Sequence, residues 1–410
     1  METVQELERA IPVADTADVV VCGGGPAGVA AAVSAARGGA RTTLLEDAGC
    51  LGGVWTAGAL SHIIDSANKD GIMAEILRRL NERATQLTTV DYDVESMKLI
   101  LEDLCVQAGV RIRLYTRVVA ALTDENKRLT TVVTESKSGR EAWRGKMFVD
   151  ATGDGDLAAR AGCGFDMGRE SDGGTQPMSL MALLTGVDYS RLEAAGLARQ
   201  AGKPHFNYQA KMALLKEMRR AGIEPSYGAP TLFVIRRDLY GLMTNHEYGV
   251  RCDDADGITG ATLHARREIN AVVDGLRRLG GPWERMRLIA TAEQIGIREG
   301  RRIHGQYTLT ADDLVRGARF DDAVCRATFC VDVHATDPTK NRGYDDVGYT
   351  AKPYDIPMRS LVARDVRGLM MAGRCVSGDF IAHSSYRVTG NAVAMGEAAG
   401  RAAADAAAKP

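Results

Sequence analysis

The N-terminal part of the chain alternates short apolar runs with glycine, in a pattern that predicts a strand–helix–strand unit. A β-branched run covers Asp18 to Cys22, as expected for a buried strand of a parallel sheet. Small residues without a helix breaker follow from Pro26 to Arg37, and proline in the first turn is typical of a helix start. The apolar segment from Ala40 to Glu46 predicts the second strand.

Farther along, the spacing of apolar residues changes from the helical period to alternation and back. Helical spacing marks residues 71–84 and 93–109. Three alternating segments within 110–153, separated by the turn sequences TDENK and KSGR, predict an antiparallel meander. Near the end, the buried strand RGLMMAGR precedes an alanine-rich helix over 389–408, whose composition is interpreted as that of a surface helix.

Composition and charge argue against several classes of protein. The chain has 410 residues, 45% of them hydrophobic, and a net charge of -2, so it has no basic field that would attract nucleic acid or an anionic membrane. Neither a signal-peptide pattern nor an apolar run of bilayer length is visible, so we expect a cytoplasmic protein without a membrane partner. The eight cysteines are scattered and form no Cys-x-x-Cys pair, which predicts reduced thiols and no metal site.

The turn between the first strand and the first helix carries the strongest chemical signal. Gly23, Gly25 and Gly28 fit the pattern G-x-G-x-x-G, which places a pyrophosphate at the start of the helix. Glu46 follows the second strand, where an acid accepts hydrogen bonds from a ribose, although it could also be an ordinary surface carboxylate. These residues predict a bound dinucleotide and leave open which one.

Further glycine motifs give the chain a resemblance to a known family. The matching segments include GGGPAGVAAAVSAARGGARTTLLE, LGGVWT, DATGDGDLAARAG and GLMMAGRCVSGDFIAHSSYRVTGNAVAMGEAAG. The chain resembles the FAD-dependent oxidoreductases of glutathione-reductase-type fold, in the branch related to the heterodisulfide reductase A subunit, some members of which carry the label xanthan lyase. These motifs span most of the chain and are specific for the family, much less so for a substrate.

The resemblance implies FAD as the cofactor and a set of residues around it. The glycine corner would meet the diphosphate, Glu46 the adenosine ribose, and the start of the last helix the flavin pyrimidine. Arg374 departs from the family pattern, because many relatives have an acid directly after the glycine that corresponds to Gly373. The residues that the resemblance implies for cofactor binding are Gly23, Gly25, Pro26, Ala27, Gly28, Glu46, Gly52, Gly53, Thr56, Thr152, Gly153, Asp154, Gly373, Arg374, Gly390 and Asn391.

Three residues are candidates for catalysis beside the flavin. His383 lies just before the last helix and could take a proton from a substrate hydroxyl. Arg387 could fix a carboxylate or stabilise reduced flavin. His62 could lie beside the isoalloxazine ring or attach FAD covalently. The structural alternatives are a loop histidine, a structural arginine and a core histidine, respectively.

Two further groups of polar residues favour a structural interpretation at least as strongly as a functional one. Asp332 and His334 are two residues apart and would share one face of an extended segment. The second group could be an anion clamp or a salt-bridge network; it consists of Arg298, Arg301, Arg302 and His304.

These observations predict an α/β protein in two parts. Residues 15–162 and 345–410 would form a Rossmann-like FAD-binding domain with a β-meander, and 163–344 a mixed α+β substrate domain. A second G-x-G-x-x-G is missing from 163–340, so we expect electrons to come from an organic substrate.

The predicted function is oxidation of a small organic substrate by hydride transfer to flavin N5, at a carbon that could bear a hydroxyl. The alternatives are a flavin-dependent reductase or dehydrogenase of a carbon–carbon double bond, a flavin electron-transfer subunit of a larger complex, and a binding module without catalysis. The electron acceptor stays unidentified, and a homo-oligomer is left open.

Overall fold

The computed structural model describes residues 2–6, 8–83, 88, 90–197 and 208–409. The strands in chain order are β1 (Val13–Cys22), β2 (Thr42–Leu45), β3 (Arg111–Arg113), β4 (Arg117–Thr123), β5 (Leu129–Ser136), β6 (Gly139–Asp150), β7 (Phe165–Asp166), β8 (Ala182–Thr185), β9 (Thr231–Arg236), β10 (Leu239–Met243), β11 (Arg287–Thr291), β12 (Arg302–Ile303), β13 (Ala323–Ala327), β14 (Tyr354–Pro357) and β15 (Leu369–Met371).

The helices in chain order are α1 (Pro26–Arg37), α2 (Gly71–Arg83), α3 (Val94–Gln107), α4 (Asp156–Arg160), α5 (Tyr189–Ala194), α6 (Tyr208–Arg220), α7 (Ala255–Leu279), α8 (Ala311–Arg316), α9 (Phe380–Tyr386) and α10 (Thr389–Ala407). The helices predicted over 26–37, 71–84, 93–109 and 389–408 begin and end close to the observed bounds of α1, α2, α3 and α10. Among the described residues, no helix combines the length and the hydropathy that crossing a bilayer requires.

A seven-stranded sheet within the described residues forms the main layer. Its order is β3-β2-β1-β6-β5-β4, and β15 also pairs with β6. The valine run of β1 lies in the centre and pairs in parallel with β2 and β6. The first half of β6 pairs antiparallel with β5, and its last residues pair in parallel with β15. The long β6 therefore joins the predicted meander to the parallel sheet and places Asp150 beside Cys22 at the carboxyl edge.

The predicted strand over 110–122 is two strands on opposite edges of this sheet. β3 pairs in parallel with β2, whereas β4 pairs antiparallel with β5. Between them Tyr115 has a φ of 54°, in the left-handed region that non-glycine residues rarely adopt. Because neither glycine nor proline marks this turn and the alternation continues through it, the pattern alone predicted one strand.

The alanine-rich C-terminal helix is buried, so its interpretation as a surface helix was wrong. α10 packs along α1 with small residues on both sides of the contact. A Cβ atom on Gly396 would lie 2.0 Å from the carbonyl oxygen of Ala27, and one on Gly400 would lie 2.1 Å from that of Ala31. The small residues therefore permit close backbone approach between two helices, which explains the composition of the tail.

A second hydrophobic cluster lies within the predicted substrate domain. It runs mainly from Met178 to Ile295 and surrounds an antiparallel sheet of order β11-β8-β10-β9. The first cluster also includes Ile303, Leu309 and Leu314, because the chain returns to the hydrophobic core of the main sheet before the predicted boundary at residue 344. The division at 162 and 344 stays a prediction.

Candidate active site

The glycine corner brings the backbone of α1 close to the carboxyl edge of the main sheet. Gly23 has a φ of 97°, and a Cβ there would lie 2.4 Å from the carbonyl oxygen of Ala151. A Cβ on Gly28 would lie 1.7 Å from the carbonyl oxygen of Gly23, so the helix can approach the strand only with glycine at this position. A Cβ on Gly25 would meet no atom within 4 Å, because this glycine faces open space at the start of α1.

The carboxylate of Glu46 lies at the same corner and is held by backbone N–H groups. The amide of Gly24 donates to one of its oxygens, and the amide of Ala48 donates to the other at 2.7 Å. Burial raises the pKa of Glu46, and these two hydrogen bonds oppose that effect. Since each carboxylate oxygen has two lone pairs, the group can still accept hydrogen bonds from a ribose.

Opposite this corner, Arg374 forms an ion pair with Asp154. Its Nη1 atom lies 2.8 Å from Oδ1 of Asp154 and donates to the carbonyl oxygen of Gly153 at 3.0 Å. Burial raises the pKa of Asp154 to about 6, and the charge of Arg374 opposes that rise. The arginine that departs from the family pattern therefore pairs with an acid from the loop between β6 and α4.

The two sides enclose a continuous opening, which we call the cofactor groove. It includes Val54, Gly58, Gln294 and Ala392 beside residues predicted to bind the cofactor, namely Gly23, Gly25, Pro26, Ala27, Glu46, Gly53, Thr152, Gly153, Asp154, Gly373 and Arg374. At one end it continues into an outer pocket that shares Gly23 and Glu46 and adds Asp47 and Arg117. It also shares Gly58, Ile297, Arg374, Arg387 and Thr389 with a second opening, the inner cavity.

Four other residues predicted to bind the cofactor do not line the groove but lie behind its wall; they are Gly52, Thr56, Gly390 and Asn391. The amide of Gly52, whose φ is 112°, donates to the carbonyl oxygen of Gly24 at 2.7 Å, and the Thr56 hydroxyl donates to that of Leu51 at 2.6 Å. These contacts hold the turn that presents Gly53. Gly390 lies in the first turn of α10, where its amide donates to the carbonyl oxygen of Ile64 at 2.9 Å.

The groove fits a dinucleotide in the chemistry of its walls. Gly25 leaves room for a group against the start of α1, where unpaired N–H groups favour a diphosphate. At the start of α10, the Thr389 hydroxyl and the Asn391 amide are buried without a hydrogen-bond partner among the described residues. Buried polar groups normally have partners, and the Thr389 hydroxyl, which lines the groove, therefore suits a polar ligand.

The inner cavity contains a histidine that is held by a buried carboxylate. Nδ1 of His62 lies 2.6 Å from Oδ1 of Asp91, and both residues are buried. The hydroxyl of Thr88 donates to the other oxygen of Asp91 at 2.9 Å, and the His62 ring packs on Phe233 with 5.5 Å between centroids. In the neutral tautomer that donates from Nδ1 to this carboxylate, the ring has its lone pair on Nε2.

Arg387 lies between the groove and the inner cavity and belongs to a second polar network. It donates to Oδ2 of Asp332 at 3.0 Å, and Nε2 of His334 lies 3.4 Å from the same oxygen. Burial opposes ionisation, but His334 and Arg387 hold the pKa of Asp332 well below its usual range. Nδ1 of His334 lies 3.0 Å from Nε2 of His246, and burial together with the charge of Arg298 lowers the pKa of His334 to about 3.

His383 lies away from both openings. It is in α9, not in a loop, and it is fully buried and outside the residues that line the groove and the inner cavity. Burial and the charges of Arg302 and Arg387 hold its pKa well below the usual range. Because a catalytic base must reach its substrate, this position does not favour His383 as the base, and that role stays a prediction.

The sequence pattern favoured a structural role for some residues of the inner cavity and did not identify others. Asp332 and His334 line the cavity, although their spacing was interpreted as structural. Arg298 lines it as well, whereas Arg302 pairs with Glu299 at 2.6 Å in the interior. Lys211 and Tyr344, whose side chains are 2.9 Å apart, carry no motif and could not be found from the sequence.

The remaining members of the arginine-rich segment, Arg301 and His304, lie outside the inner cavity. Arg301 lies 3.0 Å from Asp156 at the outer pocket, and His304 lies 3.2 Å from Asp166. These contacts are those of a salt-bridge network, and among the four predicted residues only Arg298 lines the inner cavity.

Comparison with the solved structure of a flavin-dependent brominase shows the same fold. A triple mutant of the flavin-dependent brominase Bmp2 is 14% identical with a TM-score of 0.50, over 96% of this chain and 81% of the brominase. A geranylgeranyl bacteriochlorophyll reductase-like protein from Thermoplasma acidophilum is 15% identical with a TM-score of 0.49, over 95% of this chain and 77% of that one. No curated protein matches the chain.

A family model gives the more specific result. The model described as FAD dependent oxidoreductase matches residues 18–409, which include the glycine corner, the end of β6, the inner cavity and the whole of α10. The sequence resemblance is confirmed at the level of this family, and its FAD cofactor agrees with the shape and chemistry of the groove. The chain belongs to the FAD-dependent oxidoreductase family.

Proposed function

We propose that the protein oxidises a small organic substrate in the inner cavity, at a carbon that bears a hydroxyl. The observation that carries the proposal is the pair formed by His62 and Asp91, which lines a cavity continuous with the cofactor groove. A histidine oriented by a buried carboxylate is the arrangement that general bases use to accept a proton in catalysis.

In the proposed reaction the protein accepts the proton of the substrate, and the cofactor accepts its electrons. FAD, when bound, supplies the hydride acceptor at N5. Nε2 of His62 takes the hydroxyl proton while the carbon–hydrogen bond breaks, so that a carbonyl forms and two electrons leave the substrate. Asp91 accepts the Nδ1 hydrogen bond throughout and stabilises the imidazolium that forms. In this proposal His62 acts as the base and carries no covalent bond to the cofactor.

Arg387 has a positioning role in the same proposal. It borders both openings, and its contact with Asp332 at 3.0 Å fixes the guanidinium between them. Its Nε atom is buried without a partner among the described residues. The residues proposed to hold FAD are those that line the groove, with Glu46 at the ribose and the start of α10 at the flavin end.

The test is anaerobic mixing of the FAD-loaded protein with a panel of alcohols while flavin absorbance is followed. His62→Gln should slow flavin reduction by about two or more orders of magnitude. Asp91→Asn should also slow it, because the amide no longer fixes the tautomer of the ring. His383→Gln is the matched control, since the same change at a buried histidine outside the cavity should leave the rate within a few-fold.

The same preparations separate the proposal from its alternatives. A normal rate in His62→Gln with loss of the rate in His383→Gln would return the base to His383. Reduction by NADPH without any organic substrate would contradict the proposed direction of electron flow. Reduction only in the presence of saturated acyl compounds, with an alkene as product, would favour carbon–carbon dehydrogenation. Acid denaturation that leaves flavin on the protein would contradict the absence of a covalent bond to His62.

A further inference from the structure

The inner cavity contains more positive than negative side chains. Among the described residues, the charged side chains that line it are Lys211, Arg298, Arg374, Arg387 and a single carboxylate, Asp332. Arg387 is neutralised by Asp332 at 3.0 Å, and Arg374 is neutralised by Asp154 at 2.8 Å. The carboxylates present are therefore already paired with other arginines.

Arg298 faces the cavity with neutral partners only. Its Nη1 atom donates to the carbonyl oxygen of Pro177 at 2.6 Å and to Oγ of Ser179 at 2.9 Å, and Nη2 lies 3.6 Å from the sulfur of Met243. In the part of the chain that the structure describes, no carboxylate lies within 4.0 Å of it. Burial and the nearby charge of Arg387 lower its pKa to about 10, so it stays protonated at neutral pH.

An enclosed cation without a counterion is unfavourable unless a ligand supplies the opposite charge. Arg298 borders the inner cavity and is not among the residues that line the cofactor groove or the outer pocket. The diphosphate side of the cofactor therefore does not provide this counterion. A ligand in the inner cavity is in a position to do so.

The rest of the cavity wall is largely apolar. Leu60, Ile64, Met181, Phe233 and Val388 line it around the charged groups. A ligand that matches this wall has an apolar body and presents its charge toward one end. A guanidinium presents parallel N–H groups that suit a carboxylate.

We propose that the substrate of the inner cavity carries a carboxylate on a small apolar body and that Arg298 pairs with this carboxylate. The inference rests on the proposed function only in naming this ligand as the substrate. Arg298 is thus a specificity-determining residue, and His62 on the same cavity is the proton acceptor.

Equilibrium binding tests this inference without turnover. The FAD-loaded protein is titrated by calorimetry with benzoate, with benzamide as its neutral counterpart, and with inorganic phosphate. Benzoate should bind at least about tenfold more tightly than benzamide, and Arg298→Met should weaken benzoate binding by about 10- to 100-fold without changing benzamide. Arg298→Lys, which keeps the charge, should lose less than Arg298→Met.

Each other outcome overturns the inference. Equal binding of benzoate and benzamide by the unmodified protein would remove the charge requirement, and this comparison needs no variant to fold. Binding of phosphate but not benzoate would contradict the carboxylate assignment, as would unchanged benzoate binding in a folded Arg298→Met protein. Loss of FAD from Arg298→Met would show that the arginine serves the cofactor. The oxidation proposal fails separately, through an unchanged rate of flavin reduction in His62→Gln.

Discussion

The contact between α1 and α10 predicts that adding one methyl group at Gly396 destabilises the protein and weakens cofactor binding. A Cβ at this position would lie 2.0 Å from the carbonyl oxygen of Ala27, far inside the 3.4 Å at which ordinary contact begins. The neighbour is backbone, so it cannot rotate away, and the helices must separate. Ala27 lines the cofactor groove, which means that the separation displaces the glycine corner as well.

The magnitude follows from two opposing effects. Overpacking a tight contact costs about 1–3 kcal/mol, whereas replacing glycine by alanine inside a helix gains about 1 kcal/mol. Gly396→Ala should therefore lower the free energy of unfolding by up to about 2 kcal/mol. Gly260→Ala is the matched control, because Gly260 is exposed in α7 and a Cβ there meets no atom within 4 Å. It should raise the free energy of unfolding by up to about 1 kcal/mol.

The assay is urea denaturation of both variants without cofactor, followed by measurement of FAD affinity. Working without cofactor keeps the loss of packing separate from the loss of ligand stabilisation. Opposite shifts in the two variants are expected, together with weaker FAD binding in Gly396→Ala alone. If both variants gained stability equally, the close approach of α10 to α1 would not be a constraint, and the account of the alanine-rich tail would be wrong.

Two further predictions concern the groove itself. Gly25→Ala should leave the stability of the cofactor-free protein unchanged and weaken FAD binding at least about tenfold. The reason is that its Cβ would project into the open space at the start of α1. Equal FAD affinity of the variant and the unmodified protein in a titration would contradict this prediction. Asp154 has a folded pKa of about 6, raised from 3.8, so the folded state binds its proton more tightly than the unfolded state. Its contribution to stability is therefore greatest below about pH 4 and is lost as the pH rises to about 6, so the fall in Tm between pH 4 and 6.5 should be smaller in Asp154→Asn than in the unmodified protein.

The parts of the fold that depend on local pattern could be predicted from the sequence. The helix from Pro26 to Arg37 has the predicted bounds, because proline, small residues and the following glycine all agree on it. The burial of α10 could not be predicted in the same way. Small residues suit an exposed helix and a tight helix pair equally well, and only the position of α1 decides between them.

The same distinction between local pattern and tertiary contact applies to the site. The glycine corner and Glu46 are close in sequence and follow a motif, so their position could be predicted. The inner cavity instead combines His62, Arg298 and His334, which come from separate parts of the chain and carry no shared spacing. A histidine is informative only together with its carboxylate, and Asp91 lies far from His62 in sequence. The sequence therefore identifies the cofactor, and the tertiary structure is needed to find the residues that face a substrate.

Arg374 is found where many relatives of the family have an acid, and its neighbours explain how the arginine is accommodated. The guanidinium lies against the backbone of Gly153, where a Cβ would come within 2.5 Å of its Nη2 atom. Glycine at 153, an acid at 154 and arginine at 374 are therefore matched, since a side chain at 153 or the loss of the acid would displace or unpair the arginine. Because this pair is neutral as a unit, Arg374 adds little net positive charge for a diphosphate. The unpaired backbone N–H groups at the start of α1 then supply a favourable field in the groove, and this is why a methyl group at Gly25, which would project into that space, should weaken FAD binding.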